Sequence, residues 1–397
     1  MSSKPPQAPG DPETDFVASP GDQKVTFVEL FFDLVFVFCV TQTVSLLHDG
    51  VTWRAIGESV LVFWLVWWGW TQFTWALNAA DTTHPRVEVA TLVATGIAFF
   101  LAVGIPYAFH GHALWFAGTY VAVRVLGLLV YDWVVWSDES MRAAVRLFSL
   151  VSISGLIAVL IGGILGGTAQ YIWWTVAIAL DILAASVGGS AEGWNLHAEH
   201  FSERHGLFVI IALGESLIVA AISLSGTDEW PAYKVGAAIL SVAIAGAMWW
   251  SYFVRNKIEL DEALEESRGN QRSMLARDAY SIIHFPMVLG IIAFAATVEH
   301  ALTHPSEPLG TPNRALLAAS VILYAGSMEL ALRRARKPVH LARRLLPILT
   351  AIAVFALANA AAVFSLSVVL VGLTLLALGE PVRPRHHAKA RDASAAA

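Results

Sequence analysis

The feature that most constrains this chain is a succession of apolar runs, each about twenty residues long, separated by short polar or turn-rich stretches. At 1.5 Å per residue such a run forms a helix of about 30 Å, the thickness of the hydrocarbon layer of a bilayer. The runs predict spans near 25–47, 55–79, 87–109, 112–135, 143–165 and 169–189, then 205–224, 233–254, 276–299 and 313–333. The last run, Leu345 to Leu378, would make a straight helix of about 50 Å, so it reads as two short helices turning near Asn359 to Ser365. With 56% hydrophobic and 14% charged residues, the 397-residue chain leaves little material for a soluble domain. The expected fold is an all-α polytopic transmembrane helix bundle of about twelve spans.

Charge placement supplies an independent count, because Lys and Arg gather in cytoplasmic loops. With the N-terminus inside and twelve spans, every Lys and Arg falls on the cytoplasmic side except Arg54, Lys234 and Arg314 outside and Arg124 within the membrane. The densest basic clusters are Arg333 to Arg344 and Arg383 to Arg391, and an odd span count would put the second outside. The predicted organisation is a polar cytoplasmic tail (1–24), spans one to six (25–189), a cytoplasmic linker (190–204), spans seven to twelve (205–379) and a basic, then Ala-rich, cytoplasmic tail (380–397). Residues 1–24 lack the apolar core of a cleavable signal peptide, so the first span is expected to target the protein to the cell membrane. The segment 255–277, with acids flanked by basic residues, reads as a surface amphipathic helix. Cys39 is the single cysteine, which excludes an intramolecular disulfide. No phosphate-cradling loop is visible, no cofactor is called for, and nucleic-acid binding is a poor account of the basic loops.

Two pairs of short motifs recur at nearly the same offset: Leu30-Phe31 with Leu207-Phe208, and Trp67-Trp68 with Trp249-Trp250. They suggest a six-plus-six duplication whose halves enter the membrane in the same orientation, because six is even, with a site between them.

Three ordered motifs carry a family resemblance. The run from Val25 to Phe38, which includes Glu29 and Asp33, resembles the opening signature of the bacterial low temperature requirement A (LtrA) family. Trp67-Trp68, Trp70, Thr74-Trp75, Asn78 and Asp81 are similar to its second-helix pattern. His200-Phe201, Glu203 to Phe208 and Leu213 to Ser216 are similar to its central motif. The resemblance covers residues from about 25 to about 300, and Thr83 departs from it where a second acid is expected after Asp81. It implies a multi-pass bacterial membrane protein linked by its family name to growth in the cold, and it supplies no chemical activity.

Ionisable side chains inside a membrane are costly and normally pair or line a water-filled path. Glu215 counts out near the middle of span seven, where Gly214 beside it would admit a close neighbour. Glu29 and Asp33 are spaced i, i+4 and share one face of span one. Arg124 and Asp181 also lie at mid-membrane depth and suit a structural ion pair, with Glu215 as the other acid Arg124 could meet. Asp132, two turns inward from Arg124, could extend a polar stripe. His200, Glu203 and Arg204, at the cytoplasmic end of span seven, suit a gate more than a metal site, since no metalloprotease pattern is present. His284 precedes Pro286, which can open span nine beside a polar side chain. The stripe Trp64, Trp67, Trp68 and Trp75 suits packing, an organic cation or a lipid, and Gly162, Gly163, Gly166 and Gly167 suit close helix contact. Glu29, Asp33, Asn78, Asp81, Arg124, Asp181, Glu215 and His284 are therefore candidates for a polar path. The expected function is ion-coupled transport or conduction of a proton or cation. An intramembrane enzyme acting on a lipid or isoprenoid is the alternative, and a membrane sensor or scaffold is the third reading. The expected partners are membrane lipids and a small ion or lipid-like substrate, and the sequence leaves room for a homo-oligomer.

Overall fold

A computed structural model describes residues 19, 23–48, 50–136, 138–188, 196–226 and 230–379. Residues 1–18, 20–22 and 380–397 of the expected tails, and the linker residues 189–195, lie outside the described residues. The chain forms α1 (Phe27–Ser45), α2 (Trp53–Ala79), α3 (Pro85–Gly104), α4 (Ala113–Val134), α5 (Glu139–Leu165), α6 (Gly167–Gly188) and α7 (Ala198–Ser225). It continues with α8 (Ala232–Ser251), α9 (Lys257–Glu266), α10 (Asn270–Leu275), α11 (His284–Thr303), α12 (Thr311–Arg334), α13 (Leu341–Ala356) and α14 (Ala362–Leu378). A π-helical turn, Tyr252–Asn256, joins α8 to α9, and a second, Ala276–Ile282, joins α10 to α11. Each pair is therefore one rod, Ala232–Glu266 and Asn270–Thr303.

Helix ends follow local chemistry. The Thr52 side chain accepts the Ala55 N–H at the start of α2. Pro85 sits at the first position of α3, where its missing N–H costs nothing. Gly166 and Gly167, at φ +63° and +53°, turn α5 back onto α6 through a conformation that side chains with a Cβ rarely adopt. Gly163 then lets α5 meet α4, for a Cβ there would stand 2.6 Å from the Ala117 Cβ.

Ten of the described rods are long and apolar enough to cross a bilayer. The helices α13 and α14, with 16 and 17 residues, are the short pair expected from the final run. The break between them, at residues 357–361, is pinned where the Ala362 N–H donates to the Glu307 carbonyl in the loop before α12. Large apolar side chains such as Leu150, Ile164, Leu165, Ile172 and Phe364 stay more than half exposed, a belt that suits lipid as solvent.

The bundle is not a ring of equal members. The rods containing α2 and α11 are each 83% buried along their apolar stretch and stand at the centre. In the first half α1 packs on α3, α3 on α4, α4 on α5, α5 on α6 and α6 on α2. In the second, α7 packs on α11, α11 on α12, α12 on α13, α13 on α14 and α14 on α8. The halves meet where α1 and α2 contact α7 and α11.

Two differences from the sequence expectation have clear causes. The segment 255–277 is helical, but it is packed instead of lying free on the surface. Leu260, Ala263 and Leu264 share one face and join Phe201, Leu275, Tyr280 and Leu332 in a second apolar cluster. The Trp pairs do not occupy like environments either: Trp67 and Trp68 are buried, whereas Trp249 and Trp250 are 44% and 47% exposed.

Candidate functional site

At its first turn α1 carries a carboxylate that does two jobs. Glu29 Oε2 accepts from the Thr26 N–H and hydroxyl, each at 3.0 Å, and so closes the helix start. Its Oε1 faces α7, 3.2 Å from Arg204 Nη1 and 3.0 Å from His200 Nε2. One turn further along α1, Asp33 Oδ1 takes Arg204 Nη2 and the Trp70 indole N–H, the latter at 2.7 Å. The Arg204 guanidinium also lies over the Trp70 ring, 5.7 Å from its centroid. Glu29, Asp33, His200 and Arg204 are all essentially inaccessible to solvent.

Asn78 fixes the imidazole. Its Oδ1 accepts the His197 N–H at 3.0 Å and its Nδ2 donates to the His197 carbonyl at 2.9 Å, so the amide stands 3.1 Å from His200 Nδ1 with a donor forward. His200 Nδ1 then accepts, and Nε2 carries the hydrogen given to Glu29. With His200 neutral, two carboxylates face one guanidinium, and the cluster carries one negative charge in excess. A single added proton, or one cation, balances it. Asp33 Oδ2 and Arg204 Nε have no hydrogen-bond partner among the described residues, so an acceptor and a donor remain open in the same cluster.

Arg124 finds its partner in the first half: both terminal nitrogens reach Asp181 Oδ1 at 3.2 Å, and Gln72 and Tyr120 hydrogen-bond the same guanidinium. Side chains of three helices, α2, α4 and α6, are thus satisfied around one neutral pair, a structural ion pair in which Glu215 takes no part. Glu215 lies about one turn past the middle of α7 and is bonded by the Thr41 hydroxyl of α1. Among the described residues it forms no ion pair. Glu299 of α11, paired with His48, lies within electrostatic reach. Because Glu29 meets the start of α7 and Thr41 meets its outer half, α1 and α7 run side by side in the same direction. Gly214 admits no close neighbour, since a Cβ there would meet nothing within 4 Å.

The remaining candidates separate. Glu203 is exposed, whereas His200 and Arg204 are buried, so the expected three-residue gate has two buried members. Asp81 accepts the N–H and hydroxyl of Thr83 and shapes the α2–α3 turn, away from the cluster. Asp132 lines a shallow lipid-side groove with Arg146. His284 opens a different network: its Nδ1 bonds the Ala279 carbonyl at 2.7 Å, across the π turn, and its Nε2 bonds the Tyr252 hydroxyl at 2.9 Å. The opening precedes Pro286, which sits in the first turn of α11, and the Ser281 carbonyl of the turn before it accepts the Trp67 indole N–H.

Sequence reasoning missed Trp70 as a ligand of Asp33, and it missed Tyr252, Tyr280 and His205 around His284. The Tyr280 ring stacks on His284 at 5.0 Å, and His205 meets both edge-on at 5.3 and 5.7 Å. The signal for Trp70 was available, since it lies within the second-helix motif. The π turns have no sequence pattern that hydropathy reports.

Comparison with known proteins agrees with this architecture. The model of the family described as Bacterial low temperature requirement A protein (LtrA) matches residues 24–378, beyond the region where the sequence motifs lie. An uncharacterized protein of Rhizobium meliloti (strain 1021) is 30% identical over 319 residues, covering 77% of this chain and 76% of the relative. No solved structure matches. The chain belongs to the bacterial low temperature requirement A family.

Proposed function

We propose that this family member moves protons or small cations across the bacterial cell membrane along the seam between α1 and α7. The observation that carries the reading is charge that protein does not balance. Glu29 and Asp33 share one guanidinium at the inner part of the seam, and Glu215 has a hydroxyl for company further out. Buried carboxylates in this condition hold a proton or a cation. Between the two stations the shared faces carry Phe36 and Phe208, both fully buried, so the acids stand on either side of an aromatic block. Passage then requires that block to shift, as alternating access does.

The neighbour relations support a parallel duplication behind this arrangement. Pairing α1 to α6 with α7, α8, α11, α12, α13 and α14 in order makes the chain of neighbours first–third–fourth–fifth–sixth–second recur in both halves, although the α2–α4 contact has no comparable counterpart between α8 and α12, and α1 with α7 becomes the contact between first spans. The halves have diverged in depth of burial, since α2 is central and its counterpart α8 is 44% buried.

The test is purified protein in liposomes, with internal pH and charge movement recorded under imposed proton, sodium and potassium gradients. Wild type is expected to give a gradient-driven signal that Glu215→Gln and Asp33→Asn lose while remaining folded. Folded wild type that moves no ion under any gradient would overturn the proposal.

A further inference from the structure

A slot separate from the α1–α7 seam opens between the halves at the basic end of the bundle. It is a narrow cleft with a cavity of about 40 Å³ that opens at its mouth. Its walls are aromatic and apolar, from Trp68, Trp75, Tyr131, Phe148 and Ala185, and Arg277 stands at its edge. The Trp68 indole N–H and the Thr71 hydroxyl, both on the α2 wall, have no partner among the described residues. Buried donors of this kind call for an acceptor.

Charge decides what kind of molecule fits. Arg277 Nε and Arg334 Nε each bind one oxygen of Asp278 at 2.6 Å, so two guanidinium groups share one carboxylate and a positive charge is left over. Arg277 also reaches the Ala185 carbonyl across the slot, at 3.5 Å. An aromatic slot by itself would accept an organic cation. A guanidinium in surplus at its edge excludes one and favours an anion. The same end of the bundle carries Arg333, Arg336, Lys337 and Arg344, which marks it as cytoplasmic, the side on which acidic headgroups attract basic residues.

We propose that the slot binds an acidic phospholipid of the cytoplasmic leaflet, its phosphate at Arg277 and Arg334, its acyl chain between the aromatic walls, and an ester carbonyl within reach of the Trp68 and Thr71 donors. The site is independent of the seam, so loss of ion movement and loss of lipid binding are separable.

Quenching of tryptophan by lipids brominated on the acyl chain reads occupancy directly. The contribution of Trp68 and Trp75 is the difference between wild type and the Trp68→Phe/Trp75→Phe variant, titrated with brominated phosphatidylglycerol and with brominated phosphatidylcholine in nanodiscs. Phosphatidylglycerol is expected to quench this component at about one-fifth the concentration, the preference that one basic residue confers at an anionic surface. Arg277→Gln is expected to erase the preference. Ala185→Leu, which fills the slot and leaves the charges in place, is expected to remove the quenching by both lipids. Equal quenching by the two lipids in wild type, a preference that survives Arg277→Gln, or quenching unchanged in Ala185→Leu would each overturn the assignment. Should Arg277→Gln fail to fold, the two-lipid comparison in wild type and Ala185→Leu decides it.

Discussion

Arg204 holds two carboxylates buried from the surface, and the cost of losing it follows from what it leaves behind. Arg204→Gln strands Glu29 and Asp33 as unbalanced buried acids, and we expect a destabilisation of about 3–5 kcal/mol, read as a lowered unfolding transition in detergent. Adding Glu29→Gln and Asp33→Asn to that variant should recover most of the loss, because the stranded charges are gone. Recovery below a third of the loss would mean that the arginine acts chiefly through its packing on Trp70. Arg124→Met should behave in the same way and be rescued by Asp181→Leu. Glu215→Gln should differ from both: with a hydroxyl as its hydrogen-bonding neighbour, it should change stability by no more than about 1 kcal/mol. The acids and bases were all legible as expensive residues in apolar runs. Which acid meets which base was not, since Arg124 had two acids at similar depth and the helix faces decided between them.

At the scale of elements, close helix approach is a testable feature. A Cβ on Gly290 would stand 2.8 Å from the Ser320 carbonyl oxygen and the Tyr324 nitrogen of α12, and backbone atoms there cannot turn aside. Gly290→Ala is therefore expected to push α11 from α12 and cost about 1–3 kcal/mol in thermal unfolding. Gly214→Ala, facing open space, should stay within about 0.5 kcal/mol of wild type. The contrast runs against the sequence expectation for Gly214, because a glycine beside an acid says nothing about where the next helix lies. Helix lengths and the break within the last run were readable, being set by hydropathy and by the thickness of the solvent. The π turns at Tyr252–Asn256 and Ala276–Ile282 were not, for an inserted residue alters hydrogen bonding without altering composition.

For the whole molecule, orientation can be checked from both sides of the membrane. Arg336→Cys, between α12 and α13, should react with an impermeant thiol reagent from the cytoplasmic side, and Ser306→Cys, between α11 and α12, from the outer side. Cys39 is fully buried in α1 and should react from neither, so wild type serves as the blank. Labelling of both introduced cysteines from one side would contradict the fold. Taken alone, the sequence determined the solvent, the approximate span boundaries and the roster of costly polar residues. Each of these is a property of one segment and the medium around it. The tertiary structure decided that α2 and α11 occupy the centre, that Arg204 sits with Glu29 and Asp33 while Arg124 sits with Asp181, and that Glu215 meets no basic side chain among the described residues. Those outcomes depend on which faces of helices far apart in sequence come together. In a bilayer, where lipid and core are equally apolar, shape and polar pairing choose those faces, and hydropathy does not.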